Sequence, residues 1–148
     1  MRRTRFDDAP CPIARTTDLI GDWWTPIVMR EAFTGARRFD EFIERLDVPR
    51  ATLTQRLERL VDEGLLRKVE YQQRPVRHEY RLTPQGIAFY DVLAAMWRWG
   101  SDWRWPDGEE PPLELVDRES GARVEPAVVD ERTGERIDVR RLRVRLRR

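Results

Sequence analysis

The chain has 148 residues, 40% of them apolar and 37% charged, with a formal net charge of +1. That length holds one domain and an appendage around a buried core, and no apolar run approaches the length of a membrane span. A single cysteine, Cys11, and a single histidine, His78, exclude an intrachain disulfide. They also leave too few nitrogen and sulfur ligands for a zinc site, so no metal and no cofactor are expected.

Residues 1–10 read as a flexible arm. The arm starts basic, but no apolar stretch follows it, so it is not a secretory signal and a cytoplasmic protein is expected. Pro12 suits the first turn of a helix whose apolar side is Ile13, Leu19 and Ile20, with Gly21 as its end. Thr25-Pro26 is a cap followed by a first-turn proline. It opens a helix carrying Ile27, Val28, Ala32 and Phe33 that closes at Gly35. Asp40 is placed to cap a short helix with Phe39, Phe42, Ile43 and Leu46 on its inward side, and Asp47-Val48-Pro49 is a turn.

The segment 51–63 follows. Its apolar residues Leu53, Leu57, Leu60 and Val61 fall at helical spacing on one side, and Gly64 ends it. Thr52, Gln55, Arg56 and Arg59 are expected on the opposite, polar side. Next comes an alternating hairpin over 66–82. Its returning strand has Val76, His78, Tyr80 and Leu82 on one side, and its tip and flanks hold Arg67, Lys68, Arg74 and Arg77. Thr83-Pro84 repeats the cap-plus-proline start for one long helix from Gln85 to about Trp103. That helix bears Ile87, Phe89, Met96, Trp97 and Trp99, more apolar surface than a small domain needs.

Gly108 to Pro112 marks a boundary, beyond which an internal repeat appears. Val116-Asp117-Arg118-Glu119-Ser120-Gly121-Ala122-Arg123-Val124-Glu125 matches Val129-Asp130-Glu131-Arg132-Thr133-Gly134-Glu135-Arg136-Ile137-Asp138, thirteen residues on. Each copy reads as a hairpin around an Asp/Gly turn. The pattern has the shape of paired zinc-ribbon turns without the metal ligands, Ser120 and Thr133 being poor ligands for zinc. The plainer alternative is two unrelated hairpins with similar turns in a β-rich appendage. Residues 139–148 alternate arginine with Val139, Leu142, Val144 and Leu146, the pattern of a further strand or of a basic tail.

The order helix, short helix, turn, amphipathic helix, hairpin is that of a winged helix: a mostly α fold with a β wing (α+β), spanning 11–106, with a β-rich extension over 107–148. The major groove of DNA admits one helix, held to its core by one side and offering polar groups on the other. Gln55 suits adenine edges and Arg56 guanine edges. Thr52 lies in the N-terminal turn, Arg59 suits phosphate, and the wing cations Arg74 and Arg77 reach backbone or minor groove. Arg37, Arg38 and Arg50 complete the candidate DNA-binding set. Of 28 basic residues only Lys68 is lysine, which fits phosphate and guanine recognition and equally a GC-rich genome.

Further residues carry the resemblance to a family. They are Cys11-Pro12-Ile13, Gly21-Asp22-Trp23-Trp24-Thr25, Ile27-Val28-Met29-Arg30-Glu31, and Arg37-Arg38-Phe39-Asp40-Glu41-Phe42. They continue as Leu53-Thr54-Gln55-Arg56-Leu57-Glu58-Arg59-Leu60-Val61-Asp62-Glu63-Gly64-Leu65-Leu66, then Tyr71, Pro75, and Val76-Arg77-His78-Glu79-Tyr80-Arg81-Leu82-Thr83-Pro84-Gln85-Gly86. Over about residues 11–105 the chain resembles the HxlR-type winged helix-turn-helix regulators. The resemblance implies a dimeric transcription regulator whose terminal helices, residues 12–20 and 85–103, form the dimer contact, and which reads a pseudo-palindromic operator. Several members of the family sense oxidants or electrophiles through a cysteine near this point, which makes Cys11 a candidate thiol sensor, with a small packed residue as the alternative.

Trp23, Trp24, Phe89, Met96 and Trp97 are candidates for an apolar effector pocket or for dimer packing. His78, between Arg77 and Glu79, reads as a strand residue. No phosphate loop and no nucleophile-base pair stands out, so an enzyme is not expected. Two rival functions remain open at this level: a winged-helix module that docks protein, and a sequence-independent DNA-binding protein.

Overall fold

A computed structural model describes residue 6 and residues 8–145; most of the arm expected over 1–10, and residues 146–148, lie outside the described residues. The chain divides into two compact units, Met1–Tyr90 and Asp91–Arg148. The break falls sixteen residues before the boundary expected at 106, because the long helix belongs with the extension that follows it.

In the first unit α1 (Pro12–Ile20) starts with Pro12 in its first turn and ends at Gly21. The cap of α2 (Trp24–Phe33) differs from the expectation. Thr25 is inside the helix, and Asp22 is the acceptor: its Oδ1 receives the amides of Trp24 and Thr25 at 2.9 Å each. The chain then enters α3 (Phe39–Leu46), where Asp40 is already helical and Glu41 accepts instead, from the amides of Arg37 at 2.7 Å and Arg38 at 3.0 Å. The turn into α4 (Arg50–Asp62) puts Asp47 at φ 47°, a left-handed conformation that aspartate tolerates.

Leu53, Leu57 and Leu60 of α4 are fully buried with Val28 and Met29 of α2, Phe42 of α3, and Leu65 and Leu66 beyond α4. Spacings of four and three put these leucines on one stripe, so their burial fixes which side of α4 faces out. The wing is an antiparallel pair, β1 (Leu66–Gln73) and β2 (Val76–Leu82), in register Leu66↔Leu82 with an irregularity between Glu70 and Gln72. Arg38 joins this sheet through a bridge to Glu79, and the Tyr80 amide donates to the Arg37 carbonyl at 2.7 Å. The start of α3 is thereby tied to the base of the wing.

The expected single helix over 85–103 is two segments, α5 (Pro84–Ala88) and α6 (Tyr90–Trp103). Phe89, between them, keeps right-handed helical dihedrals and is buried, so the interruption is slight. Thr83 caps α5, its hydroxyl accepting from the Gly86 amide at 3.0 Å. The same hydroxyl donates to the Gly64 carbonyl, closing the wing onto the end of α4.

The second unit holds α6 and the extension. Each copy of the repeat forms a tight turn with one bridge, Val116↔Arg123 and Val129↔Arg136. Asp117 and Asp130 donate amides to Ala122 and Glu135 in matching fashion. Val139–Arg141 is a single 3-10 turn where a strand or frayed tail had been expected.

Gly86 faces the Leu65 carbonyl so closely that a Cβ would stand 2.0 Å from it. Gly86→Ala is therefore expected to destabilise the chain by about 1–3 kcal/mol through overpacking, measured as a lower urea midpoint.

Candidate nucleic-acid interface

Burial of the leucine stripe leaves Ala51, Thr54, Gln55, Glu58 and Asp62 exposed along α4. The outward face is thus acidic toward its C-terminal end and free of acids toward its N-terminal end, where Arg50 is exposed. There Gln55 and Thr54 stand beside Arg50, and the Thr54 hydroxyl donates to the Arg50 carbonyl at 3.0 Å. A helix N-terminus also carries the positive end of the backbone dipole, which favours phosphate.

Two of the four residues assigned to the outward side turn inward. Arg56 is half-buried on the flank of the leucine stripe, three residues after Leu53 and four before Leu60, and its Nε lies 3.3 Å from Asp22 Oδ1. Arg59 donates to the Asp18 carbonyl and approaches Glu63 at 3.9 Å. Each guanidinium thus faces a protein partner, Asp22 for Arg56 and the Asp18 carbonyl for Arg59. Thr52 is half-buried. For Arg56 the signal was in the spacing: a wheel phased on Leu53, Leu57 and Leu60 puts 55 opposite the stripe and 56 beside it; position 59 lies on the outer side of that wheel, and its bond to the Asp18 carbonyl is what draws Arg59 in. Thr54, absent from the expected set, is exposed as well.

Asp22 collects more than a helix cap. Burial resists its ionisation. The Thr25 hydroxyl, at 2.6 Å, the Thr25 amide, the Arg56 guanidinium and the Trp24 amide outweigh that effect and hold its carboxyl below the ordinary value of 3.8. One carboxylate therefore joins the start of α2 to the flank of α4.

The remaining candidates lie at the start of α4 or on other elements. Arg74 and Arg77 at the wing tip, Arg67 on β1 and Arg37 before α3 are exposed and form no ion pair with the described residues. Arg38 is committed to structure, 3.5 Å from Glu79 Oε1 and stacked 4.3 Å from the Tyr71 ring. Arg50 lies over the Phe39 ring at 4.8 Å and 3.4 Å from Asp40, yet stays largely exposed. Lys68 lies 5.9 Å from the Tyr80 ring. Cys11 is exposed at the N-cap of α1. Among the aromatic candidates, Phe89 is a core residue and does not line a pocket, while Trp23 is 89% exposed. Met96 and Trp97 line a cavity of about 290 Å³ with Trp105 and Leu113. Among the described residues, no three His, Cys, Asp or Glu side chains are grouped to hold a metal, and no helix is long and apolar enough to cross a membrane.

Residues 19–107 match the profile of the HxlR-like helix-turn-helix proteins. The chain belongs to that family. An HTH-type transcriptional regulator of Mycobacterium tuberculosis is 38% identical over 128 residues, which cover 86% of this chain and 80% of that protein. The crystal structure of PA1607, described as a candidate transcription factor, superposes with a TM-score of 0.85 at 35% identity, covering 96% of this chain and 99% of that one. The reduced form of the redox regulator HypR gives 0.59 at 30% identity, covering 64% of this chain and 94% of the other. This HxlR-like chain is therefore a transcription regulator of the winged helix-turn-helix type. Its extension has a counterpart in PA1607, while the match to HypR leaves about a third of this chain uncovered.

The Asp22 arrangement has a measurable consequence. A carboxyl whose folded-state pKa is depressed adds stability above the unfolded-state value and loses it as pH falls through the lowered value. Asp22→Asn is expected to flatten the acid limb of the stability curve below about pH 4, a range set by the ordinary aspartate pKa. Asp22→Ala is expected to cost about 2–3 kcal/mol, the loss of a helix cap plus a half-buried guanidinium left without its carboxylate. Urea titrations between pH 2.5 and 7 read both.

Proposed function

We propose that the chain binds a pseudo-palindromic duplex operator as a homodimer, with α4 in the major groove and the wing on the flanking backbone or minor groove. The observation that carries this reading is the exposed N-terminal half of α4, held from behind by three buried leucines, together with the exposed cations Arg37, Arg67, Arg74 and Arg77, which form no ion pair with the described residues. Gln55 and Thr54 read base edges there, Gln55 being suited to the paired donor and acceptor of adenine. Arg50 and the wing cations contact phosphate, which sets position and affinity rather than sequence. Arg38, Arg56 and Arg59 act as positioning residues.

The dimer uses residues 12–20 and 85–103. Ile13 in the first segment, and Ile87 and Met96 in the second, are exposed apolar side chains that a second copy would cover. A two-fold axis then places two α4 helices about one helical turn of DNA apart. Such a protein works in the cytoplasm, at the nucleoid when bound. A small apolar effector would act through aromatic side chains such as Met96 and Trp97 at that contact. Cys11 is the group through which an oxidant would act. It is exposed at a helix start, and one structural neighbour is the redox regulator HypR. Under diamide, Cys11→Ser is expected to retain DNA binding where the parent chain loses it.

Gel shifts against the DNA upstream of the protein's own gene test the main reading. Gln55→Ala is expected to cost about 1–3 kcal/mol on the operator and to relax base preference. Arg74→Ala should weaken binding evenly across sequences and lower the salt slope by about one unit. Retardation that ignores sequence, or none at low salt, would instead favour sequence-independent binding or a protein-docking module.

A further inference from the structure

The two units differ in what they bury. Residues before Asp91 enclose a core that includes Val28, Met29, Phe42 and the α4 leucines. Among the described residues from 91 to 145, none is buried. Ordering a chain costs conformational entropy at every residue, and apolar burial is what normally offsets it. Yet the extension is shaped: the Ser120 hydroxyl and amide both donate to Asp117, at 2.7 and 2.8 Å, and the matching turn at Asp130 repeats its backbone bonds. A shaped segment without a core needs a surface supplied from outside.

The sequence and the second unit together describe that surface. Residues 107–138 carry eleven acids against four arginines, and residues 139–148 carry six arginines and no acid. Arg141, Arg143 and Arg145 form no ion pair with the described residues, and Leu142 and Val144 between them are 60% and 102% exposed. A groove of about 880 Å³ runs between α6 and residues 126–131. Its apolar lining includes Val92, Trp99, Trp103 and Val128, and its acids are Asp91, Asp102 and Glu131. An apolar floor with acidic groups fits a segment that alternates arginine with leucine and valine. Asp102 is held by Arg98 at 2.8 Å, which leaves Asp91 and Glu131 for an incoming guanidinium.

We propose that residues 107–145 form a second dimer contact, in which Leu142 and Val144 of one copy enter the groove of the other while Arg141, Arg143 and Arg145 meet its acids. This rests on the homodimer reading above. Because the contact is reciprocal, one chain supplies both halves, as an isologous interface requires. Duplex DNA would satisfy the arginines but offers no cover for Leu142, Val144, Trp99 and Trp103.

Charge reversal in the full chain tests this. One variant carries Arg141→Glu, Arg143→Glu and Arg145→Glu; the other carries Asp91→Arg and Glu131→Arg. Each alone is expected to weaken self-association about tenfold in sedimentation velocity, through like charges brought together. Mixed, the two variants are expected to form heterodimers in preference to either homodimer by native mass spectrometry, an outcome that misfolding cannot produce. Dimers of unchanged affinity in both variants would overturn the proposal and leave the homodimer reading intact, as would a loss confined to DNA affinity. Absence of heterodimer preference on mixing would also overturn it. A parent chain that stays monomeric at all concentrations would remove the homodimer reading itself.

Discussion

The contact between Asp22 and Arg56 is the constraint on which the reading of α4 depends. The leucine stripe decides which side of that helix faces the core, but a stripe of three residues tolerates some rotation about the helix axis. Asp22 narrows it. Its carboxylate receives the first amides of α2 and lies 3.3 Å from the Arg56 guanidinium, and Arg59 bonds the Asp18 carbonyl on the same flank. Arg56 and Arg59 thus help set the rotation of the helix, and Gln55 and Thr54 are exposed on it. The wing is fastened with the same economy: Thr83 links it to the end of α4, and Arg38 with Glu79 links it to the start of α3.

Much of this was legible in the residues. Apolar spacing located α4 and its buried side, the alternation after Leu65 located the wing, and Thr83-Pro84 marked the start of α5 with the correct cap. The place of Arg56 beside the leucine stripe was legible in the spacing, but side-chain pairing across sequence distance is not, so the bond of Arg59 to Asp18 left no local sign. Two caps moved by a few residues within the local sequence: Asp22 serves α2 from outside, and Glu41 serves α3 from within. The interruption at Phe89 left no local mark, since the burial of that ring depends on the fold around it.

The extension shows the other limit. Its thirteen-residue repeat was visible, and the backbone repeats it bond for bond, with Val124 donating to Leu115 and Ile137 to Val128. Propensity alone suggested full hairpins. What forms is a pair of turns with one bridge each, because a two-stranded ribbon without a packed face gains little beyond its turn. The counterpart over nearly the whole of PA1607 makes this extension a shared part of the architecture rather than an accident of one chain.

The account's central claim is that position 55 faces the duplex and position 56 faces the protein. A photoreactive amino acid placed singly at each position, with the protein bound to its operator, tests this most directly. Crosslinks to bases within the operator are expected from position 55, with only crosslinks inside the protein, to the α1–α2 turn, from position 56. Base crosslinks from 56 and none from 55 would contradict the account.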